Sequence, residues 1–154
     1  MNNDEPNVDF AFDISTFRPD RPGIRKVLGD LEAEIMELVW ERPPQQGIAV
    51  REIFELLHAR RRIAYTTVMN TMTRLAKKNL LHCEKKDIAY IYYPNFTQQA
   101  FVARFVSLIL EDLFVSFSGA TLEGIRQIHN PQAAASARQL FEEVSRRRQD
   151  EEGE

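Results

Sequence analysis

At 154 residues and 44% hydrophobic content, the chain can bury one ordinary core with a small helical appendage, and its length argues against several large domains. A formal charge of −3 gives no support by itself to a nucleic-acid partner, and the single cysteine, Cys83, excludes an internal disulfide, so the fold does not depend on an oxidising compartment. The charge is unevenly spread, however: between His58 and Lys86 eight basic residues stand against Glu84 alone, which leaves the rest of the chain at −10. Such asymmetry marks a local basic footprint on a chain whose acidic ends keep it soluble.

Residues 1–27 contain Pro6, Pro19 and Pro22 with scattered charge and no sustained periodicity, which predicts a flexible N-terminal arm. The opening MNNDEPNVDF lacks the basic and apolar regions of a signal peptide. The most apolar run, Phe101 to Phe117, is interrupted by Arg104, Glu111 and Asp112 and makes a poor membrane span. A cytoplasmic protein without a membrane partner is expected.

Helical spacing then begins. Leu31, Ile35, Leu38 and Val39, with Met36 and Trp40 beside them, predict a first helix from about Asp30 to Glu41, ended by Pro43-Pro44. After a short extended piece around Ile48, the residues Val50, Ile53, Phe54 and Leu57 predict a second helix to about Ala59. A third, from about Ala64 to Asn79, buries Val68, Met72 and Leu75 with Thr71 alongside. The next stretch, LLHCEKKDIAYIYYP, reads as two short strands around a polar tip, closed by Pro94. A long helix through TQQAFVARFVSLILEDLFVSFSG follows, stopped by Gly119. Two shorter helices are predicted, one near Thr121 to His129 and one capped by Asn130 with Pro131 at its first position.

Three helices and a hairpin in about 65 residues is the order of a winged helix-turn-helix domain, in which the third helix enters the major groove. The predicted fold is therefore mainly α with a small β hairpin. A winged helix-turn-helix domain over 28–95 precedes a C-terminal helical dimerisation region over 96–148 and a disordered tail over 149–154. On the third helix, Thr66, Thr67, Asn70, Thr73, Arg74, Lys77 and Lys78 lie opposite the buried stripe. Asparagine suits adenine, arginine suits guanine or phosphate, and threonine suits either. A solvated helix would carry similar residues; Arg51, Arg60, Arg61, Arg62, Lys85 and Lys86, which this fold gathers near the same face, favour a grip on phosphates.

The strings LGDLEAEIMELVW, VREIFELL, AYTTVMNTMTRLAKKNLL and IAYIYYP, in that order, resemble the penicillinase repressor family that includes BlaI, MecI and CopY, closely over Leu28 to Pro94 and by pattern beyond. The resemblance implies a dimeric winged-helix repressor on a palindromic operator, held together by C-terminal helices. It assigns Tyr65, Thr66, Thr67, Asn70 and Arg74 to the base-reading helix, and Tyr90 and Tyr92 to support of the wing. Thr73, Lys77 and Lys78 join those arginines and wing lysines as backbone contacts. It also implies a sensor or protease that relieves repression. No matching cleavage sequence can be placed between Phe96 and Phe117, and the wing tip KKDI departs from the family's frequent glycine. The paired C-terminal cysteines of copper-responsive members are absent.

Self-association also follows from the residues. A helix as apolar as Phe101 to Phe117 exceeds what a small winged domain covers, so Phe101, Phe105, Ile109, Leu113, Phe114 and Phe117 are expected to pair with a second copy on an inverted repeat. The alternative is a fold-back in which Leu122, Ile125, Ile128, Leu140, Phe141 and Val144 cover that helix within one chain. Other chemistry is poorly supported. His82, Cys83 and Glu84 are consecutive strand residues pointing to alternate faces, so no metal site is expected, and Cys83 reads as a small buried hydrophobe. Glu32 and Glu34 do not share a helix face, and no catalytic or cofactor motif occurs; neither an enzyme nor a cofactor is expected. The rival to a DNA-binding repressor is a winged-helix module that docks an acidic protein.

Overall fold

The computed structural model describes residues 14–153. The chain divides into two compact units, one up to Leu108 and one from Ile109 onward. In the first, α1 (Asp30–Trp40), β1 (Ile48–Ala49), α2 (Val50–His58), α3 (Tyr65–Lys77), β2 (Leu81–Lys86) and β3 (Ala89–Pro94) follow one another as a winged helix-turn-helix. The expected extended piece around Ile48 joins the hairpin as a third strand: β1 pairs antiparallel with β3, giving the order β1-β3-β2.

The core forms where the three apolar stripes meet. Ile35, Met36, Ile53, Leu57, Val68, Met72 and Leu75 are almost wholly buried, as their spacings of three and four require. Thr71 joins them, its hydroxyl donating to Thr67 O at 2.8 Å, so burial leaves no orphaned donor. Helix α3 closes at Asn79, whose φ of 65° and the Leu80 N–H to Leu75 O bond of 3.0 Å turn the chain into the wing. Asn95 fastens the wing base, donating to Asn79 O at 2.8 Å and meeting His82 Nδ1 at 2.6 Å.

Gly47, with φ of 65°, lies against the outer face of β3. A Cβ there would stand 2.5 Å from Ile91 Cγ2 and 2.7 Å from Tyr93 Cε1. Gly47→Ala should therefore lower unfolding free energy by about 2 kcal/mol or more, from left-handed strain and overpacking together. A urea titration checks this, and an unchanged midpoint would show that β3 yields without cost.

Several expectations are corrected. The arm is not uniformly loose: residues 14–27 include the 3-10 turn Gly23–Lys26, Ile24 and Val27 are buried, and Arg21 pairs with Asp30. That hydrogen bond, against a smaller desolvation effect, holds the Asp30 carboxyl below its ordinary range. The expectations for residues 1–13 lie outside the described residues. The long helix α4 (Gln98–Ser116) ends before Phe117, whose φ of −140° breaks it, and Gly119 instead lies inside α5 (Ser118–Arg126). The last helix, α6 (Pro131–Glu152), begins with Asn130 accepting from Ala133 N at 3.0 Å and Pro131 in its first turn. It runs through most of the expected disordered tail, with Arg147 and Glu143 pairing one turn apart.

Phe101 and Phe105 are also reassigned. Both are buried within the first unit, Phe101 lying 5.5 Å from the Trp40 ring and 5.6 Å from Phe105. The Trp40 indole donates to Phe96 O at 2.9 Å, tying the end of α1 to the approach to α4. These two phenylalanines serve the protomer's own core and are not available to a partner. The division between units accordingly falls inside α4, after Leu108, and not at residue 95.

Candidate nucleic-acid interface

Helix α3 presents a continuous outward face. Tyr65, Thr66, Thr67, Met69, Asn70, Thr73 and Arg74 are all exposed, and the buried stripe behind them holds the helix in place. Tyr65 is positioned by an edge-on contact with Phe54 of α2, centroids 5.6 Å apart. Thr73 donates its hydroxyl proton to Met69 O at 3.0 Å, which leaves its methyl group on the outward face.

The wing stands across a groove of about 480 Å³ from this face. Its walls include Tyr65, Met69 and Thr73 from α3, Arg51 from α2, and Cys83, Tyr90 and Tyr92 from the hairpin. The strand register explains the wing's contribution: Cys83 pairs with Tyr92 and Lys85 with Tyr90, which places these four on the face toward α3. Burial pushes the Tyr92 phenol above its ordinary pKa, with a hydrogen bond to Thr73 opposing the shift. Cys83 is exposed on this wall and is not the buried hydrophobe expected from its neighbours. Lys86, one residue further, falls on the opposite face, its Nζ 5.1 Å from the centre of the Tyr93 ring.

The expected backbone cations divide into two sets. Arg60, Arg62, Lys77 and Lys85 pair with no carboxylate among the described residues. Arg61 Nη1, by contrast, spans Glu34 at 2.7 and 2.8 Å, Arg51 Nε meets Glu55 Oε1 at 3.4 Å, and Lys78 Nζ meets Glu32 Oε2 at 2.8 Å. Exposed pairs such as Arg51–Glu55 are weak and readily exchanged, whereas Glu32 is buried.

Met69 and Ile88 were missed by sequence reasoning. Met69 sits one helical step from Thr66 and Thr73 and is exposed on the outward face; Ile88 is exposed at the hairpin tip. The helical phase that puts Thr66, Asn70 and Thr73 outward also puts Met69 there. Ile88 closes the wing-tip string KKDI, but its position there did not announce that its side chain would stand exposed.

The penicillinase repressor family model matches residues 28–146, from just before α1 well into α6. The chain belongs to the penicillinase repressor family. Among curated relatives, it is similar to the transcriptional regulator BlaI of Mycobacterium tuberculosis, in strains CDC 1551 / Oshkosh and ATCC 25618 / H37Rv. Identity to each is 46% over 76 residues, covering 49% of this chain and 54% of the relative. The chain thus spans about half the length of the curated relatives it matches. A solved structure titled MarR protein from Peptoclostridium difficile DA00132 aligns over 79% of this chain and 71% of its own, with 13% identity and a TM-score of 0.39. Among the described residues no helix is long and apolar enough to cross a membrane.

Proposed function

We propose that this member of the penicillinase repressor family is a cytoplasmic, sequence-specific DNA-binding repressor that acts as a homodimer on an inverted-repeat operator. The supporting observation is the outward face of α3, where Thr66, Thr67 and Asn70 stand exposed between Tyr65 and Arg74. The assigned roles are base reading for Tyr65, Thr66, Thr67, Asn70 and Arg74, and phosphate contact for Arg60, Arg62, Lys77 and Lys85. The relatives' name, transcriptional regulator, accords with this reading.

Self-association is proposed on the surface of the second unit. Leu113, Phe114 and Val115 at the end of α4 and Phe117 just beyond it, with Leu122, Leu140, Phe141 and Val144, are all exposed in the single chain. The last four are residues that a fold-back would have used as its cover, and their exposure favours a second copy.

Two substitutions separate base reading from phosphate contact. Asn70→Ala should cost about 1 to 3 kcal/mol on the preferred duplex and little on a shuffled one. Lys85→Gln should weaken both duplexes alike and reduce the salt slope by about one. Fluorescence anisotropy titrations at several salt concentrations measure both quantities. Equal losses for Asn70→Ala on both duplexes would remove it from the reading set. Absence of duplex binding at low salt would favour the protein-docking alternative.

A further inference from the structure

A buried carboxylate lies directly beneath the candidate reading helix. Glu32, in the first turn of α1, keeps only 8% of its surface exposed. Both of its oxygens face α3: Oε2 is 2.8 Å from Lys78 Nζ, and Oε1 is 3.7 Å from Arg74 Nε. Arg74 in turn approaches Thr71 Oγ1 at 3.5 Å through Nη2. A carboxylate at this depth requires its countercharges, and moving both cations onto phosphates would strand it away from water.

We propose that Glu32 is a positioning and specificity residue of the DNA interface, a reading that rests on the proposed function above. It withholds Lys78 from phosphate. It also holds Arg74 through Nε, while the Arg74 side chain as a whole stays about half exposed and open to a base. A free Lys78 would add attraction for any duplex, since phosphate contacts carry no sequence information. An unanchored Arg74 would sample several rotamers and lose the order of its base contact. Glu32 therefore trades total affinity for discrimination. It is invisible to a scan for cations on α3, because it lies on another helix 46 residues away from Lys78.

The test uses the full chain with Glu32→Gln, Lys78→Gln and the double variant. Each is titrated from low to moderate salt against a duplex selected by the unmodified protein and against a shuffled duplex. Lys78→Gln alone should leave the salt slope unchanged, and its amide can still donate to Glu32, which preserves the fold. Glu32→Gln should steepen the slope by about one, raise affinity for the shuffled duplex several-fold and lower the selected-to-shuffled ratio about tenfold. The double variant should return the slope to its original value, a reversal that a purely structural role for Glu32 would not produce. A slope reduced by about one in Lys78→Gln alone would overturn the inference, because Lys78 would then already be on phosphate. So would a normally melting Glu32→Gln with unchanged slope and ratio. If Glu32→Gln does not fold, the Lys78→Gln slope decides. If the unmodified protein binds neither duplex, the DNA-binding reading itself falls, an outcome distinct from binding that Glu32→Gln leaves unaltered.

Discussion

Phe114→Asp is expected to convert the protein to a monomer and to lower affinity for an inverted-repeat operator by about a hundredfold or more. In the single chain Phe114 is 52% exposed, on a helix end that also exposes Leu113 and Phe117. Placing a carboxylate in the centre of an apolar contact between two copies strands a charge away from water. The DNA consequence is larger than the packing one. Two linked reading helices bind the second half-site as an intramolecular event, and that advantage commonly reaches 10² to 10⁴. Because Phe114 is not part of the first unit's core, the variant should keep the melting behaviour of that unit. Sedimentation velocity and operator titration, run on the same sample, check both halves. A dimeric Phe114→Asp would move the interface elsewhere.

Phe101→Ala should behave in the opposite way, costing about 3 to 5 kcal/mol of stability before any question of association arises. Phe101 is 1% exposed and packs between Trp40 and Phe105. Removing its ring would leave a cavity where α4 joins the winged domain and would loosen the support of the indole that donates to Phe96 O. Small domains have a total stability of about 5 to 15 kcal/mol, so this loss is a large share of the whole. Urea unfolding at two protein concentrations distinguishes the two accounts. A loss that does not depend on concentration is expected. A small loss accompanied by weakened association would return Phe101 to the interface.

The contrast between these two phenylalanines shows where sequence reading ends. Both belong to a run that is apolar on nearly every side, so helical phase alone offers no stripe to assign to the protomer and none to its partner. For α1, α2 and α3 the apolar stripe is narrow and the ends are marked by Pro43, by Asn79 and by the arginine-rich turn. Their predicted limits accordingly fall within a residue or two of Asp30–Trp40, Val50–His58 and Tyr65–Lys77. The extended piece around Ile48 was legible, but its place in the sheet was not: two residues carry no periodicity that could announce the pairing of β1 with Ile91 and Tyr92. Cys83 was misplaced for a related reason, since alternation predicts which residues share a face but not which face is covered. The outward residues of α3 were legible from phase. The state of the cations was not: Lys77 and Lys78 are neighbours in sequence, yet only Lys78 reaches the buried Glu32.

The central claim is that the exposed face of α3, presented twice by a symmetric pair, discriminates among DNA sequences. Selection of bound fragments from a pool of random duplexes by the purified protein, at moderate salt, addresses it most directly. The account predicts recovery of an inverted repeat whose two halves lose enrichment together when Asn70 is replaced by alanine. Recovery of fragments with no common motif, or of a single asymmetric site unaffected by that replacement, would contradict it.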